Sequence, residues 1–81
     1  MKENSIVTNE FLQYYRSKIG QSIREIRKNR GYNQAQLAEI MKISRTTISK
    51  IESGKFNCSI DYLLKFSWFL EFDVIFKDKT I

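Results

Sequence analysis

The stretch "NQAQLAEIMKISRTTISKIESGKFN", residues 33–57, decides the fold of this chain. It holds two short segments whose apolar residues recur at helical spacing, separated by residues 42–44. Asn33 and Ser44 are of the types that cap the start of a helix, and Gly54 is of the type that ends one. Two short helices joined by so brief a turn form a helix-turn-helix pattern.

Helical periodicity continues on both sides of this stretch. Apolar residues recur every three or four positions from Phe11 to Ile26, which predicts a first helix, and Gly20 leaves open whether the part before it is a separate turn. A fourth helix is predicted over "SIDYLLKFSWFLEF", with Ser59 as its cap. The sequence therefore predicts one all-α domain over residues 1–81, with four to five helices and a core over residues 11–70.

The spacing of the apolar residues changes at the C-terminal end of the chain. In "FDVIFKD", Phe72, Val74 and Phe76 alternate with other residues, which is typical of a β-strand. No second strand is predicted elsewhere in the chain, and a lone strand leaves its backbone groups unpaired. The pattern predicts a dimerisation strand over residues 72–77 that pairs with the same segment of a second copy.

The composition excludes several classes of function. The chain has one cysteine and no histidine, so we expect no intrachain disulfide, no Cys/His metal site and no histidine-based catalysis. Only three glycines are present, and none forms a phosphate-binding loop. We expect a protein that is not an enzyme and needs no cofactor. The sequence shows neither a membrane span nor a signal-peptide core, which predicts a cytoplasmic protein.

The charge of the chain is concentrated in its middle. The net charge is +5, but residues 16–55 contain ten basic and three acidic residues, whereas the two ends are each close to neutral. A basic middle suggests a face that binds a polyanion, although the charge alone is equally compatible with an ordinary solvated surface.

The residues from "IGQSIREIRKNRGYNQAQLAEIM" through "KISRTTISKIESGKFNCSIDYLLKF" resemble the XRE family of Cro and phage-repressor type helix-turn-helix proteins. The resemblance lies in Gln34, Leu37-Ala38, Ile48-Ser49, Glu52 and Gly54-Lys55 at the spacings of the family. It implies that the third helix lies in the major groove of double-stranded DNA.

The residues of the third helix agree with that implication. If Ile48 and Ile51 face the core, the opposite side is polar and is expected to read bases through Arg45, Thr46, Ser49 and Lys50. An arginine binds guanine O6 and N7 with two hydrogen bonds, and a threonine methyl contacts thymine. Lys50 is placed to reach either a guanine or a phosphate. The alternative is that these are ordinary exposed polar residues.

The resemblance also implies phosphate contacts and one internal bridge. The arginine and glutamate at positions 27 and 52 are expected to join the first and third helices through a bidentate pair, which would leave the arginine close to a phosphate. Tyr32 stands at a position that is usually part of the family's core. The expected phosphate contacts are Asn33, Gln34, Ser44, Thr47, Lys55, Asn57 and Arg27.

Two positions depart from the family pattern. Lys42 stands where the family usually has a glycine, so a left-handed turn there would cost roughly 1 kcal/mol. Cys58 stands where a proline is common, and it is either a small loop residue or a redox-sensing thiol.

The fourth helix is apolar nearly all round, which favours burial on more than one side. Self-association into a homodimer would bury it, and so would folding of the N-terminal segment over it. The predicted dimer interface comprises Tyr62, Phe66, Phe69, Phe72, Val74 and Phe76.

The ending "FLEFDVIFKDK" is similar to that of the HipB-type antitoxins, in which a C-terminal strand pairs across the dimer. This similarity implies a repressor of its own operon that also binds a cognate toxin. A stand-alone repressor of phage or restriction-control type is the alternative, and a protein- or RNA-binding adaptor on the same fold is a third possibility.

Overall fold

The computed structural model describes residues 6–80, and residues 1–5 and 81 of the predicted domain lie outside the described residues. The described part contains four helices, which confirms the all-helical prediction. No helix among residues 6–80 is long and apolar enough to cross a membrane. The helices are α1 (Asn9–Asn29), α2 (Gln34–Met41), α3 (Arg45–Glu52) and α4 (Ile60–Leu70).

Each helix begins after a residue whose side chain caps it. The side-chain oxygens of Thr8, Asn33, Ser44 and Ser59 each accept a hydrogen bond from the backbone N–H three residues further on. At the start of α2 the bond is reciprocal, because the side chain of Gln36 accepts from the backbone N–H of Asn33 at 2.8 Å. Local sequence therefore sets the start of every helix.

Helix α1 runs without a break through Gly20, so the two parts of the first segment form one helix. The glycine lies where α1 crosses the end of α3. A Cβ atom at this position would lie 2.6 Å from the carbonyl oxygen of Glu52 and in still closer contact with that of Ile51. Gly20 is thus required by the close approach of the two helices, which outweighs its cost in helix propensity.

The core lies between α2, α3 and α4 and the middle of α1. As predicted, Ile48 and Ile51 of α3 point inward, with exposed fractions of 0 % and 2 %. Phe66 is also fully buried, so its prediction as a dimer-interface residue is wrong: the stripe of α4 that carries it faces the core of its own chain. The buried apolar residues are Ile23, Leu37, Ala38, Met41, Ile48, Ile51, Phe66 and Leu70.

Helices α2 and α4 end in the same way. Lys42 and Glu71 have left-handed backbones, with φ of 56° and 59°. The next residue in each case, Ile43 or Phe72, donates its backbone N–H to the carbonyl five residues earlier and packs against the core. The turn at Lys42 is therefore left-handed, and it lacks the glycine that would make it free of strain.

Arg30 fixes the C-terminal end of α4. Its Nε donates to the carbonyl oxygen of Leu70 at 2.9 Å, and its Nη2 donates to that of Glu71 at 3.2 Å. These carbonyls have no partner within the helix, so a charged donor both satisfies them and complements the negative end of the helix dipole.

Residues 72–78 form neither a helix nor a strand with any other part of the described chain. Val74 is 39 % exposed, and Ile75 and Phe76 are 82 % and 98 % exposed. The strand predicted over residues 72–77 is thus not formed within the single chain. Phe72 instead packs against the core, and its carbonyl accepts a hydrogen bond from the hydroxyl of Ser67.

Candidate nucleic-acid interface

The outer side of α3 is polar. Because Ile48 and Ile51 anchor the helix inward, the four residues predicted to read bases lie on the exposed side. That side carries two cations and two hydroxyl groups and no apolar group larger than a methyl. The exposed residues are Arg45, Thr46, Ser49 and Lys50.

The first turn of α3 is held by its own hydroxyl groups. The Oγ of Ser44 accepts from the backbone N–H of Thr47 at 3.0 Å, and the two hydroxyl oxygens lie 2.8 Å apart. Both residues were predicted to contact phosphate. Since Ser44 is exposed and Thr47 is half-buried, the pair lies at the surface while it caps the helix.

A buried ion pair joins α1 to α3. Arg27 donates from Nε to Glu52 Oε2 at 2.7 Å and from Nη2 to Glu52 Oε1 at 2.9 Å. The side chains are only 6 % and 3 % exposed. The predicted bridge thus has the bidentate geometry of a strong charged hydrogen bond. Removing one partner of such a buried pair leaves an uncompensated charge, so the pair fixes the position of α3 relative to α1.

The same geometry contradicts the phosphate contact expected of Arg27. Its third nitrogen, Nη1, donates to the backbone carbonyl of Tyr32 at 2.8 Å, so all three guanidinium nitrogens are engaged. The whole residue is 5 % exposed. Arg27 is therefore a structural residue whose charge is neutralised beneath the surface.

The side chains at the start of α2 are also partly engaged. Gln34 donates from Nε2 to Glu52 Oε1 at 3.0 Å, and Asn33 Oδ1 accepts from the backbone N–H of Gln36 at 2.7 Å. The backbone N–H groups of Gln34 and Ala35 have no acceptor among the described residues. The side chains of Asn33 and Gln34 are therefore less available for the predicted phosphate contacts than the free backbone N–H groups at the start of α2.

A concave surface, here called the hollow, lies between α3, the C-terminal half of α1 and the start of α2. Arg24 of α1 is exposed on one wall and Arg45 of α3 on another. The only ion pair among the described residues joins Arg27 to Glu52, so Arg24 is free of a carboxylate partner. The hollow is lined by Arg24, Arg27, Asn33, Gln34, Ala35, Arg45, Ser49, Glu52 and Ser53.

Arg24 is a site residue that the sequence reasoning missed. It was counted in the basic middle of the chain but was given no role of its own. The signal was present, because Arg24 precedes Arg27 by three residues and therefore shares its side of the first helix.

The loop after α3 carries two more predicted phosphate contacts. Lys55 and Asn57 are both exposed, and the backbone N–H of Lys55 donates to the carbonyl of Lys50 at 2.9 Å. Gln13 of α1 holds the same loop by donating to the carbonyl of Gly54 at 3.1 Å. Lys55 and Asn57 follow α3, and Ser44 and Thr47 lie at its start, whereas Asn33 and Gln34 line the hollow. The predicted phosphate contacts thus fall into three separate groups.

Cys58 is half-buried beside the loop, and burial raises the pKa of its thiol. A raised pKa leaves less of the reactive thiolate at neutral pH. This environment favours the interpretation of Cys58 as a small loop residue over that of a redox sensor.

One comparison with known proteins, the match to a family model, agrees with this geometry. A family model described as helix-turn-helix matches residues 23–72, which is more than half of the chain and includes α2, α3 and α4. Neither the curated proteins nor the solved structures gave a significant match. On the strength of the family match, the chain belongs to the XRE-type helix-turn-helix family of DNA-binding transcription regulators.

Proposed function

We propose that the chain is a sequence-specific repressor that binds a palindromic operator as a homodimer and has no enzymatic activity. The observation that carries the proposal is the placement of α3. Its two isoleucines are 0 % and 2 % exposed, and its opposite side presents only polar groups and two cations. Such a helix is suited to enter the major groove, where each base pair shows a distinct pattern of donors and acceptors.

Within the groove, each exposed residue of α3 has a distinct role. Arg45 is free of any carboxylate among the described residues and donates to guanine O6 and N7. Thr46 contacts a thymine methyl, while Ser49 bonds a base edge. Lys50 lies near the end of the helix and reaches a guanine or a phosphate.

Phosphate contacts on both sides of α3 set its register. On one side the free backbone amides of Gln34 and Ala35 bind one phosphate, with the positive end of the helix dipole behind them. On the other side of α3, Lys55 and Asn57 bind a second phosphate of the DNA backbone. These contacts carry affinity without reading sequence.

Homodimer formation is proposed because one α3 reads only half of a site. Two recognition helices about 34 Å apart would meet successive major grooves on one face of the DNA. The exposure of Ile75 and Phe76, at 82 % and 98 %, supports pairing of the two segments over residues 72–77, since the described residues leave these two apolar side chains largely uncovered.

The same C-terminal segment supports an antitoxin role, in which the repressor also binds a cognate toxin. This role rests on the alternating pattern of residues 72–77 and on their exposure. A stand-alone repressor is the second candidate, because operator binding through α3 and the hollow requires no toxin. A neighbouring gene for a toxin would support the first, and phage or restriction-modification neighbours would support the second.

The central test is binding to the DNA upstream of the gene itself, measured by footprinting and by titration at several salt concentrations. For Arg45→Ala we expect the preference for operator over random DNA to fall by about 1–3 kcal/mol, because a base contact is lost. The matched control is Lys55→Ala, which removes the same charge but is expected to weaken binding equally on both DNAs.

Two results would contradict the proposal. If the wild-type chain protects no upstream segment and binds no duplex selectively, operator recognition is wrong. If Arg45→Ala weakens binding equally on operator and random DNA, Arg45 contacts phosphate and another residue reads the bases.

A further inference from the structure

Residues 9–22 of α1 precede the part of the chain that matches the family model, and they are here called the α1 extension. The α1 extension packs against the loop that follows α3. A Cβ atom at Gly54 of this loop would lie 2.7 Å from Ser17 Oγ and 3.0 Å from the Cα atom of Ser17. The backbone of the loop therefore runs in direct contact with the α1 extension.

Gln13 of the α1 extension holds this loop by a hydrogen bond. Its Nε2 donates to the carbonyl oxygen of Gly54 at 3.1 Å and to Ser17 Oγ at 3.1 Å. A carbonyl oxygen only accepts, so the nitrogen of the side-chain amide, and not its oxygen, must face the loop. With one N–H group directed at each acceptor, the amide of Gln13 is fixed towards the loop.

The bond from Gln13 holds one side of the peptide unit that joins Gly54 to Lys55. The N–H group of the same unit belongs to Lys55 and donates to the carbonyl oxygen of Lys50 in α3 at 2.9 Å. A peptide unit is planar, so hydrogen bonds at its oxygen and at its N–H group restrain the whole plane from both sides. The Cα atom of Lys55 lies in that plane. Helices α1 and α3 together therefore restrain the point from which the lysine side chain leaves the backbone.

We propose that Gln13 is a positioning residue for DNA binding, which holds Lys55 where it meets a phosphate of the duplex. The inference rests on the proposed function, in which Lys55 binds the DNA backbone beside α3. A lysine on a free loop must be ordered when DNA binds, and that ordering costs binding free energy. The hydrogen bond from Gln13 orders the loop in advance, so more of the attraction between lysine and phosphate appears as affinity.

The contribution of Gln13 to the fold itself is small. Gln13 is exposed and lies outside the apolar core. A single hydrogen bond of this kind adds little to the free energy of unfolding, because water replaces it when it is lost. The close approach of Gly20 to the end of α3 keeps the two helices together without it. Loss of the Gln13 amide is therefore expected to loosen the loop and to leave the four helices in place.

The test is Gln13→Met, which keeps the length of the side chain and removes its N–H groups. Binding is measured on operator and on random DNA at several salt concentrations. We expect both affinities to fall by about threefold to tenfold, which is the size of effect that one hydrogen bond supplies. The preference for the operator should stay the same, because phosphate contacts do not read sequence. Gln21→Met is the matched control, since it makes the same substitution at an exposed position of the same helix.

A double-mutant cycle separates positioning from a purely structural role. If Gln13 acts through Lys55, Gln13→Met has little further effect on affinity in a chain that already carries Lys55→Ala, so the two losses do not add. A role confined to the fold would instead give a loss of affinity that adds to that of Lys55→Ala. Amide exchange measured by NMR gives a second readout without DNA. The N–H group of Lys55 should exchange faster in Gln13→Met than in the wild type and at an unchanged rate in Gln21→Met.

The proposal is overturned if Gln13→Met binds both DNAs as tightly as the wild type, or if its loss adds in full to that of Lys55→Ala. An unchanged exchange rate of the Lys55 N–H group in Gln13→Met equally overturns it. These outcomes leave the proposed repressor function standing, because the wild type still binds its operator. A wild type that binds no DNA would overturn the repressor function and the role of Gln13 with it.

Discussion

Helices α3 and α4 are alike on the inside and opposite on the outside. Each supplies two fully or almost fully buried apolar side chains to the core, a pair of isoleucines in α3 and Phe66 with Leu70 in α4. Outside, α3 presents Arg45 and Lys50, whereas α4 presents Trp68. The comparison teaches that the inner faces of both helices form the core, whereas their outer faces offer different chemistry to the surroundings, polar and cationic on α3 and apolar on α4.

The two helices also differ in what fixes their position. Helix α4 is held by large apolar side chains and by Arg30, which caps its C-terminal end. Helix α3 is only eight residues long, so its stability comes from tertiary contacts rather than from its own hydrogen bonds. Its tertiary contacts include the buried pair of Arg27 with Glu52 in addition to its two buried isoleucines.

The largest expected effect comes from breaking that pair. Glu52→Ala leaves the guanidinium of Arg27 buried without its carboxylate, and we expect a loss of about 3–5 kcal/mol in the free energy of unfolding. Urea denaturation measures the loss. The matched control is Glu39→Ala on α2, which removes an exposed carboxylate and should change the free energy by less than about 0.5 kcal/mol.

The proposed difference between α3 and α4 would be wrong if Glu52→Ala lowered the free energy of unfolding as little as Glu39→Ala does. In that case the two isoleucines would suffice to place α3, and the ion pair would contribute little to the free energy of unfolding.

A smaller effect, on DNA affinity, is expected from a substitution in the α1 wall of the hollow. Arg24→Ala removes the free cation on the α1 wall of the hollow, so we expect weaker binding to all duplexes and a salt dependence that falls by about one unit of slope. Lys28→Ala is the matched control, because it removes the same charge from the same helix but outside the hollow. Binding measured at several salt concentrations separates the two.

If Arg24→Ala and Lys28→Ala changed the salt slope equally, the effect would be one of total charge. The surface that holds DNA would then comprise only α3 and the start of α2, and the α1 wall of the hollow would have no role in holding DNA.

Much of this structure could be predicted because its signals are local. The caps at Asn33 and Ser44 and the inward isoleucines of α3 follow from residue type and helical spacing. Phe66 was misassigned because α4 has two apolar stripes, and periodicity cannot tell which one faces the core. The pairing of Arg27 with Glu52 was predicted, but the hydrogen bond from Arg27 to the carbonyl of Tyr32 was not, because a backbone acceptor leaves no pattern in the sequence.

The predicted C-terminal strand shows a different limit. Alternation over residues 72–77 indicates which side chains would share a face, but a strand forms only where a neighbouring backbone supplies hydrogen bonds. Nothing in the described single chain supplies them. Its formation is therefore a property of the assembly, and it stays a prediction about two copies.

The smallest expected effect concerns the turn that sets α3 against α2. Lys42 holds a left-handed conformation with φ of 56°, which costs a residue with a side chain about 1–2 kcal/mol. Lys42→Gly removes this cost but increases the entropy of the unfolded chain, so we expect a gain of less than about 1 kcal/mol in urea denaturation. Lys42→Ala keeps the left-handed cost and should bring no such gain.

The same substitution at the end of α4 sharpens the comparison between the two helix ends. Glu71 has a φ of 59°, so Glu71→Gly is expected to stabilise the chain by a similar amount. The two gains should add, because the turns have no residue in common and lie at the ends of different helices. A loss of stability in Lys42→Gly would mean that the lysine side chain contributes more to the turn than its exposed position suggests, and that strain there is not the dominant cost.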